Sequence, residues 1–289
     1  MRHTLHLLAH AKINLTLNIL EKRADGYHNL STVMQSVGLS DRITLRAGEG
    51  LRFCCKDAAL PTGEENTAVA AASLFFRATD LAPAVTIELE KQIPQAAGLA
   101  GGSADAAAVL TGLNRMYGVP LGQAALLSLA QKIGADVPFC LLGGTMLAAG
   151  VGEQLTPLPP MPDCGILILK PCAKPSTGEM YRRVDRCDQP PHPPAEAAVR
   201  ALEAGRLSAL AAALGNTFSA AWETGEIPAA LAALKDEGAI GASLSGSGPS
   251  VFGLFETRTA AEAAAERLKG RYPVSFAVPP ARRGVEILE

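Results

Sequence analysis

A run of small residues at 94–107, PQAAGLAGGSADAA, constrains this chain more than any other stretch. Gly98, Gly101 and Gly102 lack the Cβ that bars other groups from the backbone, and they open positive φ. An alanine-rich segment follows, in which Ala106, Val109, Leu110, Leu113 and Met116 or Tyr117 share one face. That spacing predicts a helix over 104–117 with Ser103 as N-cap, stopped by Gly118 and Pro120. A helix start offers N–H groups without intrahelical partners and the positive end of its dipole, so such a loop holds phosphate without a side-chain charge. No Lys-Ser or Lys-Thr pair closes the run and G-x-G-x-x-G spacing is absent, which excludes a Walker A loop and a dinucleotide fold. Any phosphate-binding lysine must come from elsewhere. The same residues also suit a glycine-rich turn that merely caps a buried helix.

The 289 residues are enough for roughly two domains and for burial of about three quarters of the unfolded surface. With 48% apolar and 19% charged residues and a net charge of −2, the chain has no bulk attraction to nucleic acid or an anionic membrane. Anion binding must be local. Cys54, Cys55, Cys140, Cys164, Cys172 and Cys187 show neither metal-ligand spacing nor the density of a disulfide scaffold, so reduced thiols in the cytoplasm are expected. Residues 1–14 carry Arg2, His3, His6, His10 and Lys12 without a continuous apolar core, so no removed leader is expected. No segment reaches the ~18 apolar residues of a membrane span. Four prolines within 156–162 mark the sharpest break in composition and the expected boundary between domains at 1–157 and 163–289.

Over 11–20 the residues alternate strictly, with Lys12, Asn14, Thr16 and Asn18 on one face and Ile13, Leu15, Leu17 and Ile19 on the other. This predicts a strand whose polar face is either solvated or lines a cleft. The Asp25-Gly26 turn places Tyr27 and His28 just beyond it, a pair suited to stacking on a flat ring and bonding its edge, or to incidental packing. Strands are predicted at 41–47, 85–90, 145–151, 165–169, 251–255 and 274–278. Helices are predicted at 66–79, capped by Asn66, and at 121–133, 195–203, 207–214 and 259–268. Asp136 follows the end of the 121–133 helix among apolar residues, an unfavourable place for a charge that marks a candidate base or metal ligand, unless it caps a turn ahead of Pro138. A second small-residue loop at 241–250 either closes over the ligand of the first or forms a tight hairpin.

In order along the chain, AKINL at 11–15, RADGYH at 23–28, the 94–107 loop, GADVP at 134–138 and SGSG at 245–248 resemble the GHMP small-molecule kinases. The resemblance spans nearly the whole chain, and the lysine-asparagine strand followed by Asp-Gly-Tyr-His is its most specific part. It implies an α/β (α+β) two-domain GHMP kinase fold with the active cleft between domains. It implies ATP as donor, accompanied by Mg2+, in a cytoplasmic monomer or homodimer that binds neither nucleic acid nor membrane. Within the family the Tyr-His pair implies a small-molecule substrate read by its cytosine, a cytidine diphosphate-linked methylerythritol phosphorylated on its 2-hydroxyl for isoprenoid precursors. The alternatives are relatives acting on homoserine, a mevalonate derivative or a sugar, and a non-catalytic nucleotide sensor on the same fold.

Position by position, the resemblance implies Lys12 and Asp136 as the catalytic pair, the lysine supplying charge near the transferred phosphoryl group and the aspartate accepting the hydroxyl proton. Pro94, Gly98, Leu99, Ala100, Gly101, Gly102, Ser103 and Ala104, with Asn66 and Lys91, fall to the nucleotide. Asn14, Tyr27, His28, Thr177 and Tyr181 fall to the substrate, Tyr181 as a second aromatic wall. The metal ligands stay open, Ser103 being a contact for either phosphate or ion. Ala100 stands where many relatives have glycine and Ala104 where many have serine, which removes one possible hydroxyl contact.

Overall fold

The alternating segment at 11–20 is the middle of a longer strand, β1 (Thr4–Lys22), antiparallel to β2 (His28–Ala47). The Asp25-Gly26 turn closes this hairpin, with Gly26 at φ 86° and the Arg23 amide bonded to the Tyr27 carbonyl at 2.7 Å. The computed structural model describes residues 3–57, 60–222 and 225–288. Met1 and Arg2 of the segment read for a leader, and Glu289 at the end of the expected second domain, lie outside the described residues.

The chain continues through β3 (Gly50–Cys55), α1 (Thr67–Thr79), β4 (Ala84–Glu90), α2 (Gly101–Met116), α3 (Gln123–Ile133), α4 (Val137–Leu142), β5 (Thr145–Ala149) and β6 (Gln154–Pro157). After the prolines come β7 (Gly165–Leu169), α5 (Thr177–Val184), α6 (Ala195–Glu203), α7 (Leu207–Ala212), β8 (Gly215–Asn216), a 3-10 turn (Thr217–Trp222) and α8 (Glu226–Asp236). The last elements are β9 (Gly241–Leu244), β10 (Val251–Phe255), α9 (Arg258–Leu268), β11 (Ser275–Val278) and β12 (Val285–Leu288). The first sheet runs β12-β1-β2-β4-β3, with β5 on β2, β6 on β5 and β8 on β1; the second runs β11-β7-β10-β9. This is the mixed α/β architecture expected, and among the described residues no helix is long and apolar enough to cross a membrane.

One core lies between the first sheet and the helices α1 and α2, where Leu7, Ile43, Leu45, Ile87, Phe75, Val109 and Leu113 are all buried. Each such side chain contributes about 1.5–3 kcal/mol. Gly112 sets the approach of α2, since a Cβ there would lie 2.5 Å from Leu45 Cδ1. A second core joins Leu167, Leu169, Val251 and Phe255 to Ile227, Leu234, Ala261 and Leu268. β1 serves both: residues up to Leu15 enter the first core, while Leu17 and Ile19 enter the second. Lys12 and Asn14 therefore stand where the two cores meet. Register shifts between His10 and Lys12, and between Asn14 and Thr16, isolate this stretch as a bulged segment, a device that re-aims side chains.

The structure departs from the sequence expectations at two places that matter. α2 begins at Gly101, three residues before the expected start, and its N-cap is Ala100 at φ 57° rather than Ser103. Tertiary contact overrides propensity here. A Cβ on Gly101 would meet Ile93 Cγ2 at 3.0 Å and one on Gly102 would meet Thr67 Oγ1 at 3.1 Å, so glycine lets the first turn pack closely against both neighbours. Asp136, in turn, follows the end of α3 as expected but also heads the short helix α4, which was not expected, with Pro138 in its first turn, so it faces the positive end of a second dipole as well. Gly134 ends α3 in extended backbone.

Candidate active site

A cavity of about 850 Å³ opens at the junction, lined by β1, the 94–103 loop, Asp136, the start of α5 and the 246–247 loop. Lys12, Asn14, Tyr27, His28, Asn66, Lys91, Pro94, Gly98, Leu99, Ala100, Gly101, Gly102, Ser103, Asp136, Thr177 and Tyr181 all line it. Ala104 does not. Its side chain is fully buried and its amide is spent on the Ala100 carbonyl at 2.9 Å, the first bond of α2. The amides of Gly101, Gly102 and Ser103, one turn earlier, have no such intrahelical acceptor.

The polar face of β1 is buried, with Lys12 4%, Asn14 2%, Thr16 0% and Asn18 9% exposed, so the solvated-face alternative is excluded. A buried ammonium needs partners. Lys12 Nζ donates to Asn14 Oδ1 at 2.7 Å and lies 3.7 Å from Asp136 Oδ2. The Lys12 amide donates to the Leu99 carbonyl at 3.1 Å, fastening the glycine-rich loop to the strand. Asn14 Oδ1 also accepts from the Gly246 amide at 2.9 Å, while its Nδ2 donates to Thr32 Oγ1 at 2.8 Å. One asparagine thus orients the lysine and ties the second small-residue loop to β1.

That second loop forms the hairpin foreseen for it and also touches the first loop. It joins β9 to β10 as an antiparallel hairpin, and it closes on the first loop. Ser245 Oγ donates to the Gly98 carbonyl at 2.9 Å, and the Ser250 amide donates to the Ala97 carbonyl at 3.2 Å. Gly98 sits at φ 77°, and a Cβ there would lie 2.2 Å from the Ser245 carbonyl oxygen.

On the side of the cavity beneath α2, Lys91 Nζ donates to Asp105 Oδ2 at 2.8 Å and to Asp41. Asp41, fully buried, also accepts from the Ile93 amide at 2.8 Å. Burial, with Asp41 adding to it and Lys91 opposing, raises the Asp105 carboxyl to about 8. Burial alone would lower Lys91, but Asp105 and Asp41 outweigh it and hold the ammonium above an ordinary lysine. Lys91 therefore spends its charge inside the protein. Asn66 is likewise engaged structurally: it accepts from the Ala68 amide at 3.0 Å as N-cap of α1 and donates to the Pro61 carbonyl at 2.9 Å.

At the opposite end His28 and Tyr181 stack with centroids 5.1 Å apart and planes at 10°. His28 is 8% exposed and Tyr27 66%, so the pair divides into a buried ring and a rim residue. His28 Nε2 meets Asp185 Oδ1 at 2.8 Å, and Lys22 Nζ donates to Asp185 Oδ2 at 3.0 Å. Burial works against the Asp185 charge, yet Lys22 and His28 hold its carboxyl below the usual range. Burial, then the nearby Asp136 charge, pushes the Tyr181 phenol up to about 12.

Asp41, Asp105, Lys174, Asp185 and Ser247 belong to this site or brace it; Asp105 and Ser247 fall inside the 94–107 and 245–248 motifs without a role of their own there, and Asp41, Lys174 and Asp185 lie outside the motifs. Of these last three only Lys174 leaves a local signal. It precedes Ser176-Thr177-Gly178-Glu179, a capping-box spacing, and Ser176 Oγ accepts from the Glu179 amide at 3.2 Å to start α5. Among the described residues no group of three or more His, Cys, Asp or Glu is arranged to hold a metal ion.

An ammonium-carboxylate pair beside an open helix N-terminus suits the chemistry of phosphoryl transfer. The GHMP kinases N terminal domain matches residues 66–144 and the GHMP kinases C terminal domain matches residues 198–274. The chain belongs to the GHMP kinase family. Its relatives include the 4-diphosphocytidyl-2-C-methyl-D-erythritol kinase of Pelotomaculum thermopropionicum, 44% identical over 91% of this chain and 93% of the relative. The enzyme of the same name from Moorella thermoacetica is 43% identical over 93% of this chain and 96% of the relative. A crystal structure of 4-(cytidine 5'-diphospho)-2C-methyl-D-erythritol kinase superposes with a TM-score of 0.83 at 37% identity, covering 96% of this chain and 99% of that one. Homoserine kinase from Cytophaga hutchinsonii, TM-score 0.78 at 22% identity over 100% of this chain and 98% of that one, shares the fold.

Proposed function

We propose that this protein transfers the γ-phosphoryl group of ATP to the 2-hydroxyl of 4-diphosphocytidyl-2-C-methyl-D-erythritol, a step toward isoprenoid precursors. The observation that carries the reading is the Lys12–Asp136 pair, 3.7 Å apart, in one cavity with the α2 N-terminus and the His28–Tyr181 stack. A base-reading end, a transfer centre and a phosphate cradle are then continuous.

Phosphoryl transfer needs positioning and charge neutralisation more than covalent work by the protein. The amides of Gly101, Gly102 and Ser103 and the dipole of α2 hold the donor phosphates. Gly98 and Leu99 keep the loop against β1, and Pro94 and Ala100 shape its two ends. Asp136 accepts the proton of the attacking hydroxyl as the new P–O bond forms and ADP leaves. Lys12, fixed by Asn14, offsets the charge that builds on the phosphoryl oxygens. His28 and Tyr181 bind the cytosine, Tyr27 covers it from the rim and Thr177 lies next along α5. Mg2+ accompanying ATP would neutralise phosphate oxygens. Ser103, which lines the cavity, would contact either a phosphate or the ion.

We place the reaction in the cytoplasm, consistent with six free cysteines, in a monomer or homodimer. The two domains are taken as 1–157 and 163–289, with β12 reaching back to β1 from the second. The test is ADP release from the purified protein with ATP, Mg2+ and a panel of the cytidine diphosphate-linked alcohol, homoserine, mevalonate and galactose. Turnover with the first alone is expected. Turnover with another member reassigns the substrate, and ADP release with none of them sinks the catalytic reading in favour of a sensor.

A further inference from the structure

Lys174 is a half-buried cation with no anion of its own. Its ammonium lines the cavity and donates to Thr177 Oγ1 at 3.0 Å and to Ser247 Oγ, which among the described residues are its only hydrogen-bond partners, and both are neutral hydroxyls. Burial, and then the Lys12 ammonium, hold it below an ordinary lysine. Lys12 and Lys174 thus bring two ammonium groups to the cavity wall, where Asp136 pairs with Lys12 and, among the described residues, no carboxylate pairs with Lys174. Such a wall is one negative charge short, and a ligand anion supplies it.

The position of Lys174 says which anion. Tyr181, stacked on His28, lies one helical turn along α5 from Thr177, and Thr177 bonds Lys174. Lys174 bonds Ser247, whose neighbour Gly246 donates to Asn14, the residue that holds Lys12. Lys174 is therefore a link in the chain of contacts that joins the stacking pair to the transfer pair. In a nucleoside diphosphate-linked alcohol the diphosphate is the corresponding link between base and acceptor.

Resting on the substrate reading above, we infer that Lys174, with Thr177 and Ser247, forms the subsite for the diphosphate bridge of the acceptor substrate. Lys174 is then the residue by which the enzyme distinguishes a cytidine diphosphate compound from cytidine itself. Its charge acts on binding of the acceptor, and the donor phosphates remain with the α2 amides.

The test compares the wild-type protein with Lys174→Gln and Lys174→Arg by calorimetric titration with cytidine, CDP and ADP, alongside KM values for both substrates. In Lys174→Gln the affinity for CDP and the KM for the acceptor should worsen about 10- to 100-fold, the scale of one charge-assisted hydrogen bond. Cytidine and ADP affinities and the KM for ATP should hold, and Lys174→Arg should recover most of the loss. Unchanged CDP affinity overturns the proposal. So does an equal loss for cytidine and CDP, which would mean a structural role, or a loss confined to ADP, which would assign the ammonium to the donor. A wild-type protein that binds CDP no better than cytidine overturns this proposal alone. One that binds neither overturns the substrate reading together with it.

Discussion

Lys12 Nζ stands 3.7 Å from Asp136 Oδ2, although the lysine comes from the middle of β1 and the aspartate from the head of α4. The lysine is buried and the aspartate side chain 39% exposed, so the pair presents a fixed charge backed by the core and a carboxylate open to the cavity. Asn14 holds the lysine from the opposite side, and its own position is set by Thr32 and the Gly246 amide. The geometry leaves the carboxylate as the member free to engage a ligand proton.

Asp136→Asn should therefore lower kcat by about two to four orders of magnitude, the scale of removing a positioned base. The amide keeps the shape and the α4 N-cap position but accepts a proton far less readily. ATP affinity should stay near wild type, because the phosphate cradle is untouched. Steady-state kinetics together with nucleotide titration check this, and near-normal turnover would refute the role as base.

Lys12→Met should be at least as damaging, since one charge contact in a water-excluded transition state is worth roughly 3–4 kcal/mol. Methionine preserves most of the buried stem, and Asn14 Oδ1 retains the Gly246 amide as a donor. Thermal melting should change little while kcat/KM collapses. The reverse pattern, normal kcat with a large loss of stability, would make Lys12 structural.

Gly98→Ala tests whether the two small-residue loops must touch. The residue sits at φ 77°, and the new methyl would meet the Ser245 carbonyl oxygen at 2.2 Å. Left-handed backbone and overpacking each cost about 1–3 kcal/mol, so a large drop in denaturation midpoint is expected. Gly26→Ala is the control: its φ is 86°, but nothing lies within 4 Å of the added carbon, so only the backbone cost applies. Equal destabilisation of the two variants would show that the contact between loops contributes nothing.

Much of this site is legible in the sequence wherever the signal is local. Period-two alternation reveals the polar face of β1, the Asp25-Gly26 turn places His28, and the glycine cluster marks the helix start that opens into the cavity. What is not legible depends on segments that meet only in the fold. At the start of α2 the glycines at 101 and 102 lie close against Ile93, eight residues earlier, and Thr67, from the distant α1, contacts that no local propensity shows. The Lys91, Asp41 and Asp105 cluster joins the residue after β4, β2 and α2, and although Asp105 falls inside the 94–107 motif, nothing local pairs it with the other two. Asp185 gains its role only because the β1–β2 hairpin brings Lys22 and His28 to the end of α5. Lys174 reads as a loop lysine until Ser247 arrives from the far side of the second sheet.

The buried carboxylates also dictate how stability responds to pH. Asp105 ionises near the ordinary 3.8 in the unfolded chain and is raised to about 8 in the folded one, by burial first and by Asp41 next, against the pull of Lys91. Between those values the folded state binds a proton that the unfolded state has lost, so this group's contribution is full at low pH and declines as pH rises through the window. Asp105→Asn removes the titration while leaving Lys91 paired with Asp41. Urea denaturation at pH 5 and pH 8.5 should show that wild type loses more stability across the interval than the variant does, the difference isolating this one group from the other ionisations. Identical losses would mean that Asp105 is already ionised in the folded protein at pH 5, with Lys91 strong enough to hold both carboxylates charged.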